Sequence, residues 1–149
     1  MLPSRILVAT DGSPAADAAV VFAAEMAKAM KATELVVVSV SHTRQVVAMP
    51  AGRIVESDHK DIAAREVLVK KAVDRIRGIV GDDAVRIEAK VLEALSPADA
   101  IMKEANIGGI CSHIVIGNRG HGGFESLLLG GVSHHVIQGA HCPVTVIRV

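Results

Sequence analysis

Ile114-Val115-Ile116-Gly117-Asn118-Arg119-Gly120, followed after nine residues by Gly130-Gly131-Val132-Ser133, is the stretch that decides how this chain folds. An apolar, β-branched run reads as a strand covered on both faces. A glycine array follows it, and Val132 to Gln138 has helical character. Strand, loop, helix is the repeating unit of a parallel α/β architecture. The glycines lack side chains, so backbone N–H groups there approach an anion closely, and a helix start adds unpaired donors and a positive dipole end. A phosphate chain is the simplest ligand for such a place. Glycines also serve tight strand-to-helix connections for steric reasons alone, so the array by itself leaves both readings open.

Working outward, the same alternation runs through the chain. Ile6-Leu7-Val8-Ala9 is a continuous apolar run stopped by Asp11-Gly12-Ser13-Pro14. Ser13 suits an N-cap and Pro14 the first helical position. Ala16, Val20, Ala23, Ala27 and Met30 then recur at helical spacing, and Leu35 to Val40 is a second buried strand. Ser41 to Ser57 shows no clear period and contains Pro50 and Gly52, which predicts a long mobile connection. The next helix carries Ile62, Val69, Val73, Ile76 and Val80 on one face, with Lys60, Arg65, Lys70 and Lys71 largely off it. Gly81-Asp82-Asp83 turns into a third strand, Val85 to Val91, whose more alternating pattern suits a sheet edge. Ser96-Pro97-Ala98-Asp99 opens a helix that ends near Asn106. His113 to Ile116 and Val144 to Val149 are the fourth and fifth strands.

The expected fold is therefore α/β: a five-stranded parallel sheet with right-handed crossovers in a three-layer α/β/α sandwich, forming one domain over residues 1–149. Ligands in such folds lie beyond the carboxyl ends of the strands, where strand order reverses. The candidate loops are Ala9 to Ser13, Val40 to His42 and the glycine array. They converge if the first and fourth strands are central neighbours.

Composition narrows the function. Half of the 149 residues are hydrophobic, yet the chain has two Phe and no Trp or Tyr. A bound base would then lie among aliphatic side chains and backbone, and single-stranded nucleic acid, which needs stacking platforms, is disfavoured. Sixteen Lys plus Arg balance sixteen Asp plus Glu, so no net field favours nucleic acid or an anionic membrane. Cys111 and Cys142 form no C-x-x-C pair and read as small, buried hydrophobes or as thiols near the site. Met1-Leu2-Pro3-Ser4-Arg5 has no signal-peptide pattern and no apolar run reaches membrane-spanning length, so a cytoplasmic location is expected.

Motifs narrow it further. G-x-x-x-x-G-K-[ST] is missing, and no G-x-G-x-x-G follows the first strand. Asp11 stands in that loop instead, where a carboxylate repels phosphate and suits a sugar hydroxyl or a base amino group. A turn or capping role for Asp11 is the alternative. The seven histidines contain no H-x-x-x-H pair with supporting cysteines, so no zinc site is expected. His121, inside the glycine loop, is either a phosphate contact or solvated, and Arg119 suits phosphate oxygens better.

Arg5-Ile6-Leu7-Val8-Ala9-Thr10-Asp11-Gly12-Ser13 resembles the opening of the universal stress proteins. Gly117-Asn118-Arg119-Gly120 with Gly130-Gly131-Val132-Ser133 resembles the G-x2-G-x9-G-[ST] signature of that family's ATP-binding branch, and Cys142-Pro143-Val144 to Val149 resembles its last strand. The resemblance implies a Rossmann-like fold of the adenine nucleotide alpha hydrolase type. It further implies ATP, carried with magnesium, as ligand, and a homodimer through the C-terminal strands. By motif position, Ala9, Thr10 and Asp11 would surround the adenosine, and the Val40 backbone would read the adenine edge. Ile116, Gly117, Arg119 and Gly120 would line ribose and phosphates, and Gly130, Gly131, Val132 and Ser133 would hold the phosphate tail. Gly131 departs from the family's Ser or Thr, which removes a hydroxyl and implies weaker ATP binding, with Ser133 placed to compensate. His113 stands where relatives carry an acid.

The resemblance thus implies a nucleotide-dependent regulatory protein of the stress response, and the charge balance and lack of aromatics lead us to expect no nucleic acid or membrane partner. The alternatives are a slow ATPase or phosphotransferase on the same site, for which no dedicated lysine or second carboxylate is evident, and a dimeric scaffold that no longer binds nucleotide.

Overall fold

The computed structural model describes residues 4–48, 52–82, 84–109, 112–118 and 129–149. Its elements are β1 (Arg5–Ala9), α1 (Pro14–Met30), β2 (Glu34–His42), β3 (Arg44–Ala48), β4 (Gly52–Glu56), α2 (His59–Val80), β5 (Arg86–Ala94), α3 (Pro97–Ala105), β6 (His113–Gly117), α4 (Gly131–Gly139) and β7 (Val144–Ile147). A single turn of 3-10 helix, Ile107–Gly109, links α3 to β6.

Five strands form one sheet in the order β5-β2-β1-β6-β7, every pairing parallel. The chain builds outward from β1 through β2 to β5, then returns to pair β6 against the other side of β1, with Ile6 opposite His113 and Val8 opposite Val115. The order therefore reverses between β1 and β6. The more alternating third strand of the sequence reading is β5, at the sheet edge.

Side chains on alternate faces explain the two helical layers. Ile6, Val8, Leu35, Val37 and Val115 pack under α1 and α2, whereas Leu7, Val36, Val38, Ile114 and Ile116 pack under α3 and α4. Ile6, Leu7 and Val8 are fully buried. Burial of this kind is worth about 1.5–3 kcal/mol per large aliphatic side chain. The inner face of α1 is nearly all alanine: Ala15, Ala16, Ala19, Ala23, Ala24 and Ala27 are buried with Val20. Small side chains let this helix lie close to the sheet. At Gly117 the fit is so tight that a Cβ would stand 2.8 Å from the Ala15 carbonyl carbon.

Each capped start expected from sequence is formed. Ser13 accepts from the Ala16 N–H at 3.2 Å with Pro14 in the first turn of α1, and Ser96 accepts from the Asp99 N–H at the start of α3. Each such cap contributes about 1 kcal/mol.

The segment 41–57 differs from the expected unstructured connection. β2 continues to His42, and β3 and β4 make an antiparallel hairpin with Arg44 opposite Glu56 and Val46 opposite Ile54. Each hairpin strand is five residues long and, among the described residues, pairs only with the other, so neither shows the continuous apolarity of a sheet interior. That is why no period was visible.

Below the sheet, at the amino ends of the strands, charges are gathered and paired. Arg5, 7% exposed, donates to the Ser112 hydroxyl at 2.6 Å and to the Glu104 and Ala105 carbonyls at 3.0 and 3.3 Å. It also meets the carboxylates of Glu34 and Glu104 at 3.4 and 3.5 Å. Lys90 reaches Glu104 at 2.7 Å, and Arg86 reaches Glu34 at 3.0 Å. The network ties the end of α3 to β1, β2 and β5.

Candidate functional site

Above the carboxyl ends of the strands, a cavity of about 350 Å³ lies across the β1–β6 reversal. Its size falls in the range of small-molecule sites, and its place is where open α/β sheets bind ligands. All the sequence-predicted site residues that fall among the described ones line it. Ala9, Thr10 and Asp11 come from the end of β1, Val40 from β2, Ile116 and Gly117 from β6, and Gly130, Gly131, Val132 and Ser133 from the start of α4. Arg119, Gly120 and His121 lie outside the described residues, as does Cys111.

The geometry of each wall follows from local chemistry. Asp11 Oδ1 accepts from the Ser13 N–H at 2.9 Å, so its carboxylate shapes the turn as well as lining the cavity. The turn role weighed from sequence is thus formed, in a residue that also lines the cavity. Thr10 is held by its N–H to the Val38 carbonyl at 2.9 Å, and its own carbonyl accepts from the Ser39 hydroxyl at 2.6 Å.

The α4 start is the cavity's most distinctive wall. Gly130 is the N-cap residue and provides no side-chain hydrogen bond, so the first turn lacks the usual satisfaction of its leading N–H groups. With the helix dipole, that turn favours an anion. Gly131 is exposed and meets nothing within 4 Å of a notional Cβ. Ser133 is 4% exposed, and its hydroxyl donates to the carbonyls of Asn118 at 2.9 Å and Gly130 at 3.1 Å. Its proton is thus engaged by backbone, and in this arrangement it does not replace the hydroxyl that Gly131 lacks.

Six further lining residues were not in the predicted set: Ser13, Ala16, His42, Arg65, Pro97 and Ile101. Ser13 and Pro97 had a usable signal, because helix starts in a parallel α/β fold lie at the carboxyl ends of strands. Ile101 follows Pro97 by one turn. His42 was covered by the expected loop Val40 to His42 but assigned no role. Arg65 had no signal: its position off the apolar face of α2 suggested solvent.

Arg65 instead enters a polar chain with β2. Its Nε donates to Asp61 Oδ2 at 2.8 Å and its Nη1 to the Ser39 hydroxyl at 3.0 Å, while the Ser41 hydroxyl donates to Asp61 Oδ2 at 2.6 Å. The Ser41 hydrogen bond, with Arg65 beside it, holds the Asp61 carboxyl below its ordinary range. Among the described residues no group of three or more His, Cys, Asp or Glu gathers as a metal site, and no helix is long and apolar enough to cross a membrane.

The Universal stress protein family profile matches residues 3–148. This chain belongs to the universal stress protein family. The stress protein YxiE of Bacillus subtilis is 32% identical over 148 residues, covering 97% of this chain and 99% of that one. The universal stress protein UspA from Lactobacillus plantarum superposes with a TM-score of 0.72 at 24% identity, covering 99% of this chain and 100% of that one. A universal stress protein from Archaeoglobus fulgidus, solved in complex with dAMP, gives a TM-score of 0.69 at 26% identity, covering 99% and 98%. The fold of this stress protein is thus the family's own, with the sheet order reversing under its cavity.

A second cavity, about 290 Å³, lies between α3 and α4 and is lined by Asp99, Lys103, His141 and Cys142 among others. Cys142 is in no disulfide and is of intermediate exposure, less buried than the reading of it as a core hydrophobe implied. His134 and His135 are exposed on α4, with His135 Nε2 3.5 Å from Asp99.

Proposed function

We propose that this chain binds an adenine nucleotide, ATP with magnesium, in the β1–β6 cavity and works as a nucleotide-dependent regulatory protein of the stress response. The observation that carries this reading is the first turn of α4, uncapped by any side chain, opening onto the same cavity as Asp11 and the end of β2. A donor-rich anion site at one end and a carboxylate with aliphatic walls at the other fit a molecule that is phosphate at one end and nucleoside at the other. The A. fulgidus relative in complex with dAMP supports the ligand class. In this reading Asp11 accepts from the sugar or the base, while Gly117, Arg119, Gly120 and Gly130 to Ser133 receive the phosphates, and the magnesium ion arrives on the phosphates. Small molecules released from the purified, denatured protein and weighed by mass spectrometry test it. ATP or ADP at near-stoichiometric yield is expected, and a clean blank would favour a scaffold that has lost nucleotide binding.

The same reading includes a cytoplasmic homodimer joined through β7. The Asn118 N–H donates to the Ile147 carbonyl and the Ile114 N–H to the Pro143 carbonyl, so the odd-numbered residues of β7 face β6. The backbone groups of Val144 and Val146 then face the open edge, a surface suited to pairing with a second copy. Val146→Pro leaves the β6 ladder intact and should yield a monomer in sedimentation equilibrium. A wild-type monomer at micromolar concentration, or a dimer that survives the proline, refutes the pairing.

A further inference from the structure

The wall of the cavity next to β2 is made by a side chain outside the glycine motif. Arg65 lines the cavity from the early turns of α2, its side chain 21% exposed. Protein groups hold it firmly through Asp61 at Nε and Ser39 at Nη1, while Nη2 meets no described acceptor. Both grips are themselves fixed, Asp61 by the Ser41 hydroxyl and the Ser39 hydroxyl by the Thr10 carbonyl, each at 2.6 Å. Hydrogen bonds to a guanidinium lie in its plane. The protein thus grips Arg65 by its edge and leaves the flat faces unused by those bonds.

We propose that the Arg65 guanidinium is the platform against which the base of the bound nucleotide lies, an assignment that rests on the nucleotide reading above. Position separates it from the phosphates. Arg65 is anchored to Ser39, one residue before Val40 on β2, whereas α4 begins beside β6, and β1 lies between those two strands. At roughly 4.8 Å per strand the guanidinium stands on the order of 10 Å from the α4 start. One phosphate group does not meet both. Composition gives the second reason. The chain has no Trp or Tyr, and no phenyl ring lines the cavity among the described residues. A guanidinium is planar, weakly hydrated for a cation, and stacks on aromatic faces, so it does what a ring does at other base sites. Val40, on the strand that anchors Arg65, supplies an aliphatic wall at the base end.

Calorimetric titration of wild type, Arg65→Ala, Arg65→Lys and Asp61→Asn with ATP and with adenosine, beside urea unfolding of each, tests the assignment. Arg65→Ala should weaken ATP and adenosine by the same factor, about tenfold or more. Arg65→Lys keeps the charge and loses the plane, so it should recover little. Asp61→Asn loosens the grip on Nε and should fall between. Affinity lost for ATP alone and restored by lysine would make Arg65 a phosphate clamp and overturn the proposal. Unchanged affinity in folded Arg65→Lys overturns it as well, even if Arg65→Ala does not fold. A wild-type protein that binds neither compound refutes the nucleotide reading itself, an outcome distinct from the other two.

Discussion

At the amino ends of the strands, Arg5 donates to three protein acceptors and meets two carboxylates, while at the carboxyl ends Arg65 is held by two side chains in the wall of a cavity. The same residue type closes the sheet at one end and leaves it open at the other. Below, Glu104 is 5% exposed and satisfied by Arg5 and Lys90, and the Glu104 hydrogen bond, outweighing burial, holds the Lys90 amine above its ordinary range. Above, the α4 start has no side-chain cap and its glycines carry nothing that fills the space. Saturated polar groups stabilise a fold and bind nothing. Groups whose partners the protein withholds are the ones suited to a ligand, and the contrast marks the candidate site without reference to any motif.

The contrast breaks most visibly at its closed end. Arg5→Met should leave buried Glu104 with Lys90 alone and half-buried Glu34 with Arg86 alone, strip the Ser112 hydroxyl and two carbonyls of their donor, and destabilise the protein by about 3 kcal/mol, read from urea unfolding. ATP affinity of the folded fraction should stay unchanged. A coupled loss of affinity would mean that the two ends are not independent.

Next in size is Gly117, where the open end meets α1. A Cβ there would press on the Ala15 backbone, so Gly117→Ala should cost about 1–3 kcal/mol of stability through overpacking. Equal stability to wild type would show that this glycine serves the ligand only.

Two substitutions sharpen the open end. Gly131→Ser places a hydroxyl in clear space at the first position of α4 and should tighten ATP binding up to about tenfold, equivalent to ~1.4 kcal/mol. Unchanged or weaker binding by a folded variant would remove the phosphates from that turn. Asp11→Ala should weaken ATP and adenosine by similar factors, since its place is with the nucleoside, whereas a loss for ATP alone would assign it to the phosphates through magnesium.

The smallest effect concerns His113, at the closed end of β6. Its Nε2 lies 2.7 Å from the Thr145 hydroxyl, and burial pushes its pKa below the ordinary value. The unfolded chain therefore takes up the proton first. The contribution of a neutral His113 is complete above about pH 6.5 and falls as pH is lowered through that value. Thermal unfolding should lose less stability between pH 7.5 and 5.5 in His113→Gln than in wild type, and identical slopes would assign the acid sensitivity elsewhere.

What the sequence disclosed and what it hid have physical causes. Continuous apolar runs such as Ile6 to Ala9 announce strands buried on both faces, and Ser13-Pro14 and Ser96-Pro97 announce helix starts, because those signals are local. The glycine array placed Gly117 and Gly130 to Ser133 at one cavity because strand ends and helix starts meet there in any parallel sheet. Arg65 was hidden because its surroundings come from β2, 26 residues away, and its helical face reads as solvent. The β3–β4 hairpin was hidden because two five-residue strands that pair only with each other leave no periodic trace.

The return of β6 to the flank of β1 also sets a timetable. Arg5 and Ser112 bond across 107 residues of chain, whereas β1 and β2 are separated by one helix. Until β6 is made, β1 can pair only with β2, and the other edge of Ile6 to Val8 has no strand beside it. That edge closes only when the last quarter of the chain emerges. The cavity comes into being at the same moment, since two of its walls are β6 and α4. Under the proposed function, a chain that has not yet reached α4 would hold only part of the nucleotide site.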